Sequence, residues 1–171
     1  MTGPGLIHLY CGEGKGKTTA AMGLALRALG HGQRVVIVQF LKSGRSGEAA
    51  LLEKLGAVVL SGKPTSKFTH QMTPAEKAET RRLQTAHLAR ALDLPCDLLV
   101  LDEACAACRL GMVEEDLLRA AVLEKPGERE VVLTGRGPAP WMLDAADYIT
   151  EMQARRHPYE KGIAAREGVE Y

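Results

Sequence analysis

A glycine-rich segment near the start of the chain holds the residues best suited to chemistry. It consists of Cys11-Gly12-Glu13-Gly14-Lys15-Gly16-Lys17-Thr18-Thr19, between an apolar run, residues 6–10, and an alanine- and leucine-rich segment, residues 20–29. The glycines let the backbone bend so that its N–H groups can surround phosphate oxygens. Lys17 can reach the terminal phosphates, and the Thr18 hydroxyl can ligate Mg²⁺. The order of strand, glycine loop and helix therefore predicts a phosphate-binding loop for a nucleotide.

The predicted nucleotide contacts extend over the whole loop. Cys11 and Lys15 each leave an alternative open. The contacts are Gly12, Glu13, Gly14, Lys15, Gly16, Lys17, Thr18 and Thr19. Cys11 stands where the strict pattern has a glycine, which leaves a chance glycine-rich turn as the alternative. Lys15 is a second cation in the loop and either contacts phosphate or stays solvated.

Two acidic residues further along the chain can complete a metal site. An apolar run, residues 98–101, is followed by Asp102 and Glu103, as expected for a buried strand that ends in two carboxylates. In phosphate-loop proteins such a strand commonly lies beside the first one, so that a carboxylate meets the Mg²⁺ held by Thr18. We favour Glu103 over Asp102 as the ligand, although either acid could instead cap the following helix.

The composition indicates one domain without a nucleic-acid or membrane partner. The chain has 171 residues and a net charge of +1, and its basic residues are interleaved with acidic ones. No apolar stretch approaches membrane-spanning length and no signal-like leader is evident, so we expect a cytoplasmic protein. Cys105 and Cys108 form a Cys-x-x-Cys motif without a second pair, which favours two packed cysteines over a zinc or redox site.

Strand-like and helix-like segments alternate along the chain. A β-branched run, residues 34–40, predicts a strand buried on both faces, as in a parallel sheet. Thr73 and Glu76 predict a capping box at the start of a long helix. This alternation predicts a three-layer α/β domain with a mostly parallel sheet over residues 1–152. Residues 153–171 form a polar tail, which is either a solvated extension or a cover for the active site.

Six stretches in a fixed order carry a family resemblance. They are residues 12–21, Arg27-Ala28-x-Gly30-His31-Gly32, Val38-Gln39-Phe40-Leu41-Lys42, Leu101-Asp102-Glu103, Leu133-Thr134-Gly135-Arg136-Gly137 and Gly168-Val169-Glu170-Tyr171. Together they resemble the phosphate-loop ATP:corrinoid adenosyltransferases, also called cob(I)alamin adenosyltransferases, over nearly the whole chain. The resemblance implies a RecA-like P-loop NTPase fold, a homodimer, and Arg27 as a further nucleotide-binding residue.

The resemblance also implies a reaction. The 5′-deoxyadenosyl group of MgATP is transferred to the cobalt of cob(I)alamin or of a biosynthetic corrinoid, and triphosphate leaves as one piece. Lys17, Mg²⁺ and the loop N–H groups would act catalytically by stabilising the charge that grows on this leaving group. No general base is required, because Co(I) is itself the nucleophile. A reductant protein such as a flavodoxin is the implied partner.

Three features differ from the family pattern. Glu13 occupies a loop position where the family often has a small polar residue. Phe68-Thr69-His70 lies where relatives carry Phe-x-Trp, an aromatic pair proposed to crowd the lower face of the corrin. The resemblance thus implies corrinoid binding by Phe68 and His70, with Phe68 also catalytic because it would exclude the lower axial ligand of cobalt. The chain also begins almost at its first strand, so we expect the N-terminal helical extension of some relatives to be absent.

Alternatives remain for the Phe68 segment and for the function. Phe68 lies in the longest irregular stretch, residues 61–72, and could instead fill the core beneath this loop, while His70 could be an ordinary surface histidine. On the same fold, a small nucleoside kinase or ATPase is a second hypothesis. A nucleotide-dependent corrinoid carrier that binds without turnover is a third.

Overall fold

The strands of the protein form one parallel sheet. The computed structural model describes residues 3–42 and 46–169. Its strands are β1 (Ile7–Cys11), β2 (Val35–Gln39), β3 (Val58–Ser61), β4 (Leu98–Asp102), β5 (Glu130–Thr134) and β6 (Tyr148–Glu151). Their order across the sheet is β3-β2-β4-β5-β1-β6, and every neighbouring pair is parallel. All residues of β2 and β4 are buried, which explains their nearly continuous apolar sequences.

Helices cover both faces of this sheet. They are α1 (Lys17–Gly30), α2 (Gly47–Lys54), α3 (Pro74–Leu92), α4 (Ala104–Arg109), α5 (Glu115–Leu123) and α6 (Pro140–Ala145). One core packs α1 and α2 against strand residues such as Ile37 and Val100. The other packs α3 to α6 against the alternate strand residues, such as Val36 and Leu99. The predicted three-layer phosphate-loop fold is confirmed. Within the described residues, no helix is both long enough and apolar enough to cross a membrane.

The position of β4 differs from the sequence prediction. β4, which ends at Asp102, pairs with β2 and β5, whereas the phosphate-loop strand β1 pairs with β5 and β6. The expectation that the acidic strand lies beside the first strand is therefore wrong, because β5 separates the two. Since the strands are parallel, the carboxyl end of β5 places Thr134 between the ends of β1 and β4.

The predicted capping box is present at the start of α3. Thr73 Oγ1 accepts a hydrogen bond from the Glu76 N–H at 3.2 Å. In return, the Glu76 carboxylate accepts a hydrogen bond from the Thr73 N–H at 2.7 Å. Two donors at the helix start are thereby satisfied, which fixes where α3 begins.

The Cys-x-x-Cys motif lies in α4, where small side chains allow close packing on the sheet. Cys105 is buried, Cys108 is partly buried, and both are free thiols. Burial raises the pKa of the Cys105 thiol to about 12, so this thiol is unreactive near neutral pH. The prediction of a packed cysteine is confirmed for Cys105, whereas Cys108 is only partly enclosed.

The polar tail lies on the surface and returns toward α1. Residues 153–169 are exposed and contain one short 3₁₀ turn, Pro158–Lys161. Gly168 and Val169 border a cavity of about 490 Å³ next to Thr19, at the start of α1. Its remaining lining residues are Met22, Gly23, Leu26, Gly47, Glu48, Leu51 and Leu52. Glu170 and Tyr171, which complete the tail motif, lie outside the described residues.

The phosphate loop packs closely against the end of β6. The Gly14 N–H donates a hydrogen bond to the Met152 carbonyl, and a Cβ atom added at Gly14 would lie 2.6 Å from that carbonyl oxygen. A Cβ at Gly12 would approach the same oxygen equally closely, and Gly12 also has a φ of 96°, which favours glycine. Backbone contact therefore requires these two glycines independently of any phosphate.

Substitution of Gly14 tests this packing. We expect Gly14→Ala to lower the free energy of unfolding by about 1–3 kcal/mol, because the added methyl group must displace the backbone of Met152 and Gln153, directly after β6. Gly23→Ala is the matched control, since a Cβ at this α1 position meets no atom within 4 Å. This control should instead stabilise the protein by about 0.5–1 kcal/mol. Urea denaturation measures both changes, and an unchanged midpoint for Gly14→Ala would contradict the close contact.

Candidate active site

The phosphate loop ends in a tight turn that holds its lysine inward. Gly16 has a φ of 107° directly before α1, a conformation that favours glycine. Lys17 is the first residue of α1, and only 8% of its surface is exposed. Its ammonium donates a hydrogen bond to the Gly14 carbonyl at 2.5 Å. Lys17 is thus held inside the loop at the positive end of the α1 dipole, where anions bind favourably.

The electrostatic environment of Lys17 favours a bound anion. Burial lowers the pKa of Lys17, and the Arg136 guanidinium lowers it further. Glu103 and Glu13 raise the pKa but do not offset these two effects. An anion bound near Lys17 and Arg136 would restore the pKa, because opposite charge stabilises the protonated amine. The loop is therefore suited to a polyanionic ligand.

Arg136 follows β5 and contacts the phosphate loop. Its guanidinium forms an ion pair with the Glu13 carboxylate at 3.3 Å and donates a hydrogen bond to the Glu13 carbonyl at 3.5 Å. Both side chains are more than half exposed, so this pair contributes little to stability. Its consequence is local, since it neutralises the acidic residue of the loop. Arg136 lies outside the sequence motifs that predict the site.

Asp102 is the point where several elements of the site meet. Its side chain is fully buried. Asp102 Oδ1 accepts hydrogen bonds from the hydroxyls of Thr18 and Thr134, both at 2.8 Å. Asp102 Oδ2 contacts the Lys42 ammonium at 2.7 Å and the Gln39 side-chain amide at 3.3 Å. Donors from α1, from β5, from β2 and from the residues that follow β2 therefore surround a single carboxylate.

Three further site residues lie outside the predicted set: Gln39, Lys42 and Thr134. Each lies in a stretch that carries the family resemblance, but none belongs to the phosphate-loop pattern. Their common feature is their place at or just beyond the carboxyl end of a strand. In a parallel sheet these ends meet at the edge where ligands bind. This shared position is the signal that could have identified them.

Glu103 lies beside this cluster but has different contacts. Its backbone N–H donates a hydrogen bond to Thr134 Oγ1 at 2.9 Å, and its φ of 60° is uncommon for a residue other than glycine. Burial, and then the charge of Asp102, raise the pKa of the Glu103 carboxyl. The structure brings both acids to the site, and the direct contact with Thr18 belongs to Asp102.

The oxygen atoms at this position fit Mg²⁺. A hydroxyl from Thr18 and carboxylates from Asp102 and Glu103 are the hard ligands that this ion prefers. The raised pKa of Glu103 also indicates a carboxylate whose ionised form a nearby cation would stabilise. These three residues could therefore hold a magnesium ion against the phosphates of a nucleotide.

Arg27 lies away from the phosphate loop. It is exposed in the last turn of α1, about 15 Å along the helix from Lys17. The structure therefore does not bring this predicted nucleotide contact together with the loop. Thr19 is also exposed, and it faces the cavity that the tail borders rather than the Asp102 cluster.

The predicted corrinoid-binding residues lie on a loop that is hydrogen-bonded to α3. Phe68 is 69% exposed, so the alternative that it fills the core is wrong. Its ring stacks on the His70 ring, with centroids 5.9 Å apart and planes inclined by 7°. Beside this pair, Lys67 donates a hydrogen bond to Glu76 at 2.7 Å, and Met72 is buried. The loop thus presents two stacked rings to solvent.

The pKa of Glu103 predicts a pH-dependent effect on stability. Because the folded-state pKa is raised, ionised Glu103 destabilises the fold above both pKa values, and this penalty disappears below the unfolded pKa of about 4.3. Without metal, we therefore expect Glu103→Gln to raise the melting temperature at neutral pH but not in acid. Thermal melts in a chelating buffer measure this, with Glu167→Gln in the exposed tail as the control. If Glu103→Gln changes the melting temperature equally at both pH values, the raised pKa of Glu103 is contradicted.

Comparison with known proteins identifies the family. Residues 4–171 match the family described as ATP:corrinoid adenosyltransferase BtuR/CobO/CobP. The corrinoid adenosyltransferase of Pseudomonas aeruginosa is 37% identical, over 98% of this chain and 84% of its own length. CobA of Salmonella typhimurium is 36% identical and the Escherichia coli corrinoid adenosyltransferase 34%, each over 98% of this chain and 86% of its own length. The chain therefore belongs to the ATP:corrinoid adenosyltransferase family, as its sequence resemblance predicts.

Proposed function

We propose that this protein transfers the 5′-deoxyadenosyl group of ATP to the Co(I) ion of a reduced corrinoid and releases triphosphate as one piece. The observation that carries the proposal is the phosphate loop itself, in which Lys17 is buried and lies near a second cation, Arg136. Family membership supports ATP and a corrinoid as the two substrates. The loop would then bind the intact triphosphate chain as the leaving group.

In this reaction the electron pair of Co(I) attacks the ribose C5′. The cobalt–carbon bond forms while the bond from C5′ to the phosphate oxygen breaks, and the electrons of that bond stay on the triphosphate. Lys17, Arg136 and the loop N–H groups oppose the growing negative charge, and contacts that strengthen in the transition state accelerate a reaction. Mg²⁺ held by Thr18 and the two acids would supply further charge neutralisation.

The surroundings of Asp102 agree with a reaction that needs no general base. Both of its oxygens already accept contacts from neighbouring donors, so this carboxylate is not free to take a proton from a substrate. Co(I) carries its own electron pair and requires no deprotonation. Asp102 is therefore proposed to organise the metal site rather than to transfer protons.

Glu103 favours hydrolysis of ATP as a second candidate function. A carboxyl group with a raised pKa beside a phosphate site is also suited to activate water as a general base. Hydrolysis would release ADP and inorganic phosphate, whereas adenosyl transfer releases triphosphate. Product analysis therefore separates the two functions.

We also propose a homodimer, a reductant protein such as a flavodoxin, and a cytoplasmic location. Reduction must precede transfer, because the nucleophile is Co(I). The edge strand β6 exposes about half of the surfaces of Tyr148 and Ile149, which gives a second copy of the chain an apolar edge to cover.

Removal of the loop lysine tests the leaving-group assignment. We expect Lys17→Ala to slow adenosyl transfer by about 2.7–4 kcal/mol of barrier, the cost of losing one preorganised contact to developing charge. Lys15→Ala is the matched control, since it removes the same charge from an exposed position of the same loop and should cost less. Conversion of cob(I)alamin is followed by its visible spectrum, and phosphate products are separated by chromatography. Stoichiometric ADP, or a near-normal rate for Lys17→Ala, would contradict the proposal.

Removal of the exposed phenylalanine tests the corrinoid surface. Because Phe68 is largely exposed, we expect Phe68→Ala to leave the melting temperature almost unchanged. If the ring excludes the lower axial ligand, the variant should slow adenosylation that starts from Co(II) far more than adenosylation from chemically prepared Co(I). Phe68→Tyr keeps the ring and serves as the control. Equal losses with both cobalt states would argue against this role.

A further inference from the structure

The ammonium of Lys42 forms an ion pair with one oxygen of the Asp102 carboxylate. Lys42 Nζ lies 2.7 Å from Asp102 Oδ2, and Asp102 is entirely buried whereas 26% of the lysine side chain is exposed. Thr18, Gln39 and Thr134 donate the other three hydrogen bonds. A carboxylate offers about four lone-pair positions, so these four donors saturate it.

A divalent cation can bind this carboxylate only if one donor leaves. Thr18 would supply a ligand of its own to the metal, and Thr134 is fixed by a second hydrogen bond, from the Glu103 N–H. Lys42 carries a positive charge, which repels a metal ion bound at the same oxygen. Its flexible four-carbon stem also reaches solvent. Gln39 donates to the same oxygen at 3.3 Å, but its side chain is buried and carries no charge that would repel the metal. Lys42 is therefore the donor that a metal ion displaces.

The backbone around Lys42 is shaped to deliver it to this position. Phe40 is fully buried, and its N–H donates a hydrogen bond to the Asp102 carbonyl at 3.0 Å. Leu41 then adopts a φ of 61°, a left-handed conformation that is strained for its side chain. Leu41 and Glu103 are the two non-glycine residues with positive φ in the described residues. Leu41 lies two residues after the end of β2, and Glu103 directly follows β4. Both strained turns thus border the Lys42–Asp102 pair.

We propose that Lys42 is a built-in competitor of the metal ion at Asp102. This inference rests on the proposed function, because it assumes that the metal arrives with the nucleotide. When a metal–triphosphate ligand binds, the metal replaces Lys42 at Asp102 Oδ2, and the released ammonium pairs with phosphate oxygens. Metal alone gains no such partner for Lys42 and therefore binds weakly. The pair makes metal binding and polyphosphate binding mutually dependent, as reciprocal linkage requires.

Titration of the protein with Mn²⁺ alone, followed by electron paramagnetic resonance, tests this competition. We expect Lys42→Met to bind Mn²⁺ about tenfold tighter than the wild type, because the buried Asp102 charge then has no competing cation. Lys42→Arg retains a cation and should stay within about twofold of the wild type. Lys54→Met removes an exposed lysine from α2 and should leave the Mn²⁺ affinity unchanged. Equal or weaker Mn²⁺ binding by Lys42→Met would overturn the proposal.

A second measurement uses inorganic tripolyphosphate. In the wild type, tripolyphosphate should strengthen Mn²⁺ binding considerably, and this enhancement should be smaller in Lys42→Met. Lys42→Gln repeats both titrations in a background where an amide can still donate to Asp102, which guards against loss of folding. An enhancement as large in both neutral variants as in the wild type would also overturn the proposal.

The two proposals fail in different experiments. The Mn²⁺ titrations contain neither ATP nor a corrinoid, so they report on Lys42 and Asp102 alone. Absence of adenosyl transfer by the wild type would reject the proposed function while the competition at Asp102 could still be observed. Normal transfer with no gain in Mn²⁺ affinity for Lys42→Met would reject only the competition.

Discussion

The architecture of the site depends on the burial of one negative charge, that of Asp102, at the carboxyl end of β4. A buried carboxylate without partners would strongly destabilise the fold, so neighbouring elements have to supply donors. The strand order does this, because β2 and β5 flank β4 and deliver Gln39 and Thr134 to its end. The helix α1 adds Thr18. The sheet, the phosphate loop and the candidate metal site consequently form one hydrogen-bonded unit.

The same constraint explains the shape of the phosphate loop. Since β5 separates β1 from β4, their ends are about 10 Å apart, and the loop must cross this distance to place Thr18 against Asp102. The end of β6 supports the loop from the other side, where the Met152 carbonyl approaches so closely that Gly12 and Gly14 have no room for a Cβ atom. The glycines of the motif thus serve the packing of the sheet edge as well as the geometry of phosphate binding.

Motifs of a few neighbouring residues predict local structure, whereas contacts between distant segments of the chain are seen only in the structure. The capping box at Thr73 and the loop before α1 depend on residues within a few positions of each other, and both were predicted correctly. The partners of β4 depend on pairing between distant apolar runs that look alike, so its predicted place was wrong and Thr134 was missed. Phe68 is exposed although phenylalanine is usually buried, and hydrogen bonds of Lys67 and of the Phe68 N–H fix the loop around it.

The strand order would separate the two chemical tasks of the proposed adenosyl transfer. The cations lie toward β1 and β5, where Lys17 and Arg136 would hold a departing triphosphate. The exposed rings of Phe68 and His70 follow β3, which lies two strands, or about 10 Å, from β4 on the other side. A displacement at carbon requires the nucleophile and the leaving group to stand on opposite sides of that carbon. If Phe68 and His70 bind the corrinoid, the strand order places the segment that carries them after a strand on one side of β4, whereas Lys17 and Arg136 follow strands on the other side, so the two reactants would be held from different sides of β4.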